Sequence, residues 1–314
     1  MRWSTYFIFA AVLAAAVFSF ARFAGNDYYY IAAYVVLQYV VLATAWNILG
    51  GYAGYVNFGS AAFFAAGAYS TVALHQFYPL PIPVLIVIAG AVSGLIGFGT
   101  GYLTLRLRGV FFAIATLALA VVLQTLIVNW DYVGGSRGAY LLRPNEFPFI
   151  GSYTQYLFLM MLLLAIVAVS TARLIERSWL GYGLAAIRDD ELAAEASGVP
   201  TLRLKLVATT ISGAFMGMAG AALPYIIGYV DPLSVFNLAY AVNAIAMPMI
   251  GGTTTWIGPV IGAILLGTIQ QVATVTISSA VNLLIVGVVL VAFVIAAPNG
   301  IVGLMQSWFR KKVR

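Results

Sequence analysis

Along the chain, long apolar runs alternate with short polar connections, and this pattern repeats from one end to the other. Runs that can cross about 30 Å of hydrocarbon as helices of ~20 residues fall near 3–21, 29–49, 58–77, 82–104, 109–129, 154–172, 206–228, 236–251, 256–275 and 280–297. Within them apolar and polar positions do not alternate, as the strands of a membrane β-barrel would require. The pattern predicts an all-α polytopic membrane protein of about ten transmembrane helices, organised as a single transmembrane domain over 1–314. The first run follows Arg2, so a cleaved signal peptide competes with a retained span. Its apolar stretch exceeds the ~7–15 residues of a signal core, which favours the span.

Composition sharpens this picture. Apolar residues make up 63% of the chain and charged residues 8%, with a mean hydropathy of +1.01. So few charges cannot cover a water-soluble globule of 314 residues. Scattered basic residues argue against nucleic-acid binding despite a pI near 9.5. With no Cys and one His, disulfides, thiolate metal sites and a His cage are excluded.

Charge also orients the chain. With the N-terminus cytoplasmic, the inner segments hold Arg2, Arg106, Arg108, Arg173, Arg177, Arg188, Arg203, Lys205, Arg310, Lys311, Lys312 and Arg314, and the outer ones only Arg22, Arg137 and Arg143. This bias follows the positive-inside rule and places both termini in the cytoplasm. Two connections are long, an outer loop at 130–153 and an inner loop at 173–205. None of the ten runs carries an ionisable residue at its middle, which argues against proton or sodium coupling. No Walker-type phosphate loop is present, so the chain cannot draw on ATP alone and needs no cofactor of its own.

Two glycine-rich interruptions fall at membrane depth. The first includes Gly50, Gly51, Gly54 and Gly59, with Asn57 and Ser60 beside them. The second includes Pro248, Gly251, Gly252 and Gly258. Irregular backbone survives there only when buried in protein or lining a wet cavity, and paired interruptions point to a transporter pathway. The competing reading is close helix packing through small residues, with Asn47, Asn57 and Asn243 as inter-helix ties. In the inner loop, IRDDELAAEASGVP predicts a short helix over 189–198. Asp189 and Asp190 stand in its first turn, and Gly198 and Pro200 end it. Glu191 and Glu195, four apart, share one face of that helix.

The inner loop resembles the coupling helix of ABC importer permeases, and within them the branched-chain amino acid permease family, which also has urea and short-amide members. The resemblance is carried by WNILGGYAGYVNFGSAAFFAAGAY, by RGVFFAIATLALA with VGGSRG, by SWLGYGLAAIRDDELAAEASGV, and by GGTTTWIGPVIGA with APNGIVGL. The second-type permease subunit fits best. Asn57 and Ser60 stand where relatives often carry Ser and His, and Met249-Ile250 precedes Gly251-Gly252 where relatives show Met-Gly-Gly.

The resemblance implies a non-enzymatic importer subunit of a bacterial or archaeal cytoplasmic membrane. Its expected partners are ABC ATPase subunits, a second permease (a paralogue rather than a copy) and an extracytoplasmic solute-binding protein. Arg188, Asp189, Asp190, Glu191, Ala194, Glu195 and Gly198 would couple to the ATPases. Asn47, Gly51, Gly54, Asn57, Gly59, Ser60, Asn243 and Gly252 would line the translocation route. A small amino acid is the expected solute. Urea or a short amide, and a passive channel for a small neutral solute, are the alternatives.

Overall fold

The computed structural model describes residues 27–78, 80–141, 152–276, 279–296 and 300–304. The expected span at 3–21, residues 142–151 of the outer loop and the basic C-terminus lie outside the described residues. The helices are α1 (Tyr28–Ala53), α2 (Ser60–Phe77), α3 (Ile82–Thr104), α4 (Val110–Val128), α5 (Tyr153–Glu176), α6 (Trp179–Asp189), α7 (Glu191–Ala196), α8 (Thr201–Ala221), α9 (Leu223–Ile227), α10 (Pro232–Val235), α11 (Leu238–Gly251), α12 (Ile257–Thr276) and α13 (Ser279–Ala296). Seven segments among the described residues are long and apolar enough to cross a membrane. They are Tyr28–Ala53, Ile82–Thr104, Val110–Val128, Tyr153–Glu176, Thr201–Ile227, Pro232–Gly251 and Ile257–Val275. Two further helices of 18 residues, α2 and α13, stand at the expected runs 58–77 and 280–297.

The bundle is built on close helix crossings. Along α3, Gly94, Gly97 and Gly101 recur on one face and receive α8. Lipid gives no hydrophobic drive for helices to associate, so dispersion at short range must, and small residues allow it. Ser93 in α3 adds a polar tie, its Oγ lying 3.0 Å from the Phe63 carbonyl of α2 and 2.8 Å from the Gly213 carbonyl of α8. Gln38 in α1 donates to the Ala219 carbonyl at 3.0 Å. Beyond α4, Ala139–Tyr140 pairs antiparallel with Tyr229–Val230 (β1 and β2), a ribbon of two residues per strand.

Three boundaries differ from the sequence reading. Gly50 and Gly51 lie inside α1, because their missing side chains make room for Trp46 and Asn47 one turn back. The first break therefore starts at Gly54, whose φ of 75° turns the chain out of the helix. The inner loop is also narrower than 173–205. Helix α5 runs on through Arg173 to Glu176, and α8 starts at Thr201, so Arg173 and Lys205 are held inside helices and fully buried. Finally, the helix expected over 189–198 is shorter, α7 at Glu191–Ala196, and Asp189 is the last residue of α6. Asp190 is extended (φ −159°, ψ 109°) and separates α6 from α7.

Candidate functional site

Local capping explains the inner loop. Ser178 caps α6 by accepting from the Gly181 N–H. Asp190 caps α7, its Oδ1 accepting from the Leu192 and Ala193 N–H groups at 2.9 and 3.1 Å. At the other end of α7, Val199 N–H reaches the Ala194 carbonyl and Gly198 N–H the Glu195 carbonyl, both at 3.0 Å. With Gly198 at φ 85°, this is a Schellman closure. Thus Asp190, Ala194 and Gly198 shape the element, and Asp189, with three-quarters of its side chain exposed, is left on its surface.

The acidic face of α7 points toward the bundle, not away from it. Only 14% of the Glu191 side chain is exposed. Its Oε1 accepts from Lys205 Nζ at 2.7 Å and its Oε2 from the Tyr55 hydroxyl at 2.5 Å. Lys205 Nζ also donates to Tyr55 Oη at 3.0 Å and to the Leu105 carbonyl at 3.1 Å. Arg108 lies 3.7 Å from Glu191 and 3.5 Å from Glu195, so the two acids share one cation. Burial works against the charged form of Glu191. The hydrogen bonds from Lys205 and Tyr55, and the charges of Lys205 and Arg108, outweigh it and hold the carboxyl below the usual carboxylate range. Glu195 remains half exposed, with Leu192 beside it on the outer surface of α7. Glu191 stands one turn before Glu195, as the helical spacing requires, but its carboxylate is docked while that of Glu195 stays at the exposed rim.

The first break is held by its own polar groups. Asn57 Oδ1 accepts from the Gly59 N–H at 2.7 Å, and the Asn57 carbonyl accepts from Trp46 Nε1 at 2.9 Å and from Ser60 Oγ at 3.3 Å. Thr116 of α4 accepts from the Phe58 N–H. Gly54 packs beneath Arg188, whose Nη1 donates to the Gly51 carbonyl at 3.5 Å. So the inner loop touches the first break at two places, through Arg188 and through Glu191.

The second break, Gly252–Trp256, meets the end of α1. A Cβ on Gly51 would lie 2.6 Å from the Thr253 carbonyl, and one on Gly300 2.5 Å from Gly252 Cα. Glu176 Oε2 accepts from the Trp256 N–H at 2.6 Å, and the Arg173 guanidinium sits 5.3 Å from the Trp256 ring centre. Asn47, beside Gly51 at this junction, is buried next to the Tyr52 hydroxyl and makes no close hydrogen bond to another helix. Asn243 is different. It donates to the Tyr39 hydroxyl at 3.3 Å and accepts from Gln270 at 2.8 Å, tying α11 to α1 and α12.

The predicted route residues thus form three groups. Gly54 opens the first break beneath Arg188 and Asn57, Gly59 and Ser60 cap it, Asn47, Gly51 and Gly252 meet where the breaks touch, and Asn243 lies apart. None of them lines the cavity of about 440 Å³ that opens between α2, α3 and α4. Tyr55, Leu105, Arg108, Glu176 and Lys205 were not singled out from the sequence. Only Lys205 gave a signal, as a cation within an apolar stretch 14 residues after Glu191.

A helical membrane bundle with a capped inner loop and two glycine-bordered breaks invites comparison with known permeases. The family described as the permease component of branched-chain amino acid transport systems matches residues 28–294. The chain belongs to this family. The permease is 28% identical over 303 residues to the high-affinity branched-chain amino acid transport system permease protein LivM of Escherichia coli strain K12, which covers 88% of this chain and 71% of that one. Against the probable branched-chain amino acid transport permease protein LivH of Methanocaldococcus jannaschii, identity is 24% over 274 residues, covering 82% and 85%. Against the guanosine ABC transporter permease protein NupP of Bacillus subtilis it is 28% over 204 residues, covering 59% and 55%. No solved structure matches the chain. Membership and the seven apolar segments make this a multi-pass protein of the cytoplasmic membrane.

Proposed function

We propose that this permease is one of two membrane subunits of an ABC importer that carries a small branched-chain or apolar amino acid. A solute-binding protein delivers the amino acid outside, and separate ATPase subunits inside supply the energy. The chain would cross the membrane about ten times with both termini cytoplasmic, as the distribution of basic residues requires.

The observation that carries the reading is the inner loop. Two short capped helices pack on the bundle through Leu184, Ile187 and Ala194, are fixed there by Glu191 and Arg188, and offer Asp189, Leu192 and Glu195 outward. A passive pore has no use for such an element. Energy from a partner can enter only through contacts that change between its states, and this is the exposed element shaped to make them.

For the route, the junction of the two breaks is the favoured place. An amino-acid zwitterion needs donors and acceptors in the membrane, and the Asn47 amide, tied to no other helix, carries both. The Asn57 and Asn243 amides are engaged in holding helices.

A nucleoside is the second reading, favoured by the similarity to NupP. Co-expressing the permease with its neighbouring ATPase, permease and binding-protein genes, and measuring ATP-driven uptake of labelled leucine and guanosine in proteoliposomes, separates the two. Uptake of leucine alone is expected. Guanosine uptake alone would replace the substrate assignment, and uptake independent of ATP would refute the importer reading.

A further inference from the structure

The contacts beneath α7 do more than hold a loop. Lys205 belongs to α8, Leu105 ends α3, Tyr55 lies in the first break and Glu191 starts α7, so one ammonium group joins four separate parts of the chain. Tyr55 in turn packs edge-on against Phe112 of α4, with ring centres 5.1 Å apart. Arg108, in the turn between α3 and α4, completes a charge-balanced set of two acids and two bases.

Stability alone does not call for this arrangement. Taking an ammonium and a carboxylate out of water costs free energy that well-packed apolar side chains of the same size would not incur. An apolar patch, however, would let α7 slide, because the hydrophobic effect has no direction. Short hydrogen bonds between charged groups fix distance and angle. A six-residue helix that must pull on the bundle needs such a fixed attachment.

We infer that Glu191, Lys205 and Tyr55 form the link through which movement of α7 reaches the break at residues 54–59, acting as positioning residues that touch neither solute nor nucleotide. The inference rests on the functional reading above. The other contact between the inner loop and the break, Arg188 on the Gly51 carbonyl, is longer at 3.5 Å and acts on α1 before the break. Tyr55 is inside the break, so its hydroxyl is the point where a displaced Glu191 is felt.

The chain has no cysteine, which makes single reporters clean. Ser197→Cys reports on the end of α7 and Val56→Cys, at an exposed position, on the break. Each is placed in the complete complex with its ATPases in proteoliposomes, and reaction with a fluorescent maleimide is timed with and without ATP. In the parent, ATP should change the rate at both positions. In Lys205→Met, and in Tyr55→Phe, which keeps the ring against Phe112, the response at 197 should persist. The response at 56 should shrink at least ~5-fold, the low end of usual coupling strengths. A response at 56 that survives in either variant overturns the inference. So does loss at both positions, which would mean that α7 no longer docks, and so does a parent with no response to ATP at either. Amino-acid uptake is measured in the same vesicles. Absent uptake alongside the intact labelling pattern refutes the functional reading alone.

Discussion

Replacing Gly67 by Ala tests the packing on which the bundle depends. Gly67 lies in α2 where it crosses α8, and a Cβ there would sit 1.9 Å from the Gly217 carbonyl oxygen and 2.6 Å from its Cα. Cβ atoms do not approach neighbours closer than 3.0 Å, so the helices must part by at least 1.1 Å, and the obstacle is backbone that cannot swing aside. Parting them also strains Ser93, which reaches the carbonyls of Phe63 and Gly213 across the same crossing. Overpacking of this kind costs about 1–3 kcal/mol, and a backbone obstacle belongs at the upper end. Alanine recovers up to ~1 kcal/mol of helix propensity over glycine. The net is a loss of about 2 kcal/mol. Gly99 in α3 is the control, since nothing lies within 4 Å of its Cβ position. There the propensity term stands alone, and Gly99→Ala should be stabilising by up to ~1 kcal/mol. The assay is thermal unfolding of the purified permease in detergent, followed by size-exclusion fluorescence. A midpoint for Gly67→Ala at or above the parent's would refute the crossing as described.

Further expectations concern the inner loop and the breaks. Glu195→Lys should sharply reduce uptake while the bundle assembles normally, because it reverses charge at the exposed surface offered to the ATPase and repels Arg108; normal uptake by a well-expressed variant would remove the coupling assignment. An impermeant maleimide should label Ser136→Cys from outside and Ser197→Cys only from the cytoplasmic side, and the reverse pattern would invert the topology. Glu191 has a carboxyl held low in the folded state, so its stabilising contribution is present above the ordinary carboxylate pKa of ~4.3 and is lost as pH falls through the lower folded value. A spin label at Ser197 should therefore stay immobile down to about that pH and loosen only below it; loosening between neutral pH and ~5 would contradict the ion pair. Asn47→Leu should lower uptake with assembly intact, whereas Asn57→Leu should disturb assembly itself, since it removes the cap of the first break. Equal behaviour of the two would dissolve the distinction between them.

Hydropathy made the helices legible, because a membrane-spanning segment must be apolar over its full length and the signal accumulates over ~20 residues. One helix end was legible too. Gly198 and Pro200 mark the end of α7 by the chemistry of their own backbones. Asp190, read from the sequence as part of the first turn, stands before it as the cap. An aspartate serves both roles, and only its extended backbone decides for the cap. The spacing of Glu191 and Glu195 placed them on one face, and the structure keeps them there. That Glu191 turns into the bundle was not legible, for a different reason. Its partners, Lys205, Arg108 and Tyr55, come from 14, 83 and 136 residues away in sequence. No local pattern announces such a meeting.

The same reasoning separates the amides at the two breaks. A chain that leaves helical geometry within a membrane frees backbone groups that lipid cannot satisfy. At the first break Asn57, Ser60, Trp46 and Thr116 supply those partners, so the side chains that looked like a solute path are the ones that let the break exist. At the second, Glu176 meets the Trp256 N–H, and the backbones of Gly252 and Gly300 approach too closely for side chains to intervene. Polar groups already matched cannot exchange partners with a passing solute without the break itself coming loose. A route would therefore draw first on groups that tie no helices together, and Asn47, buried against Gly51 with the Thr253 carbonyl nearby, is one where both breaks converge. Movement passed from α7 through Tyr55 would act on the chain eight residues beyond it, close enough to open or close that junction without reshaping the bundle around it.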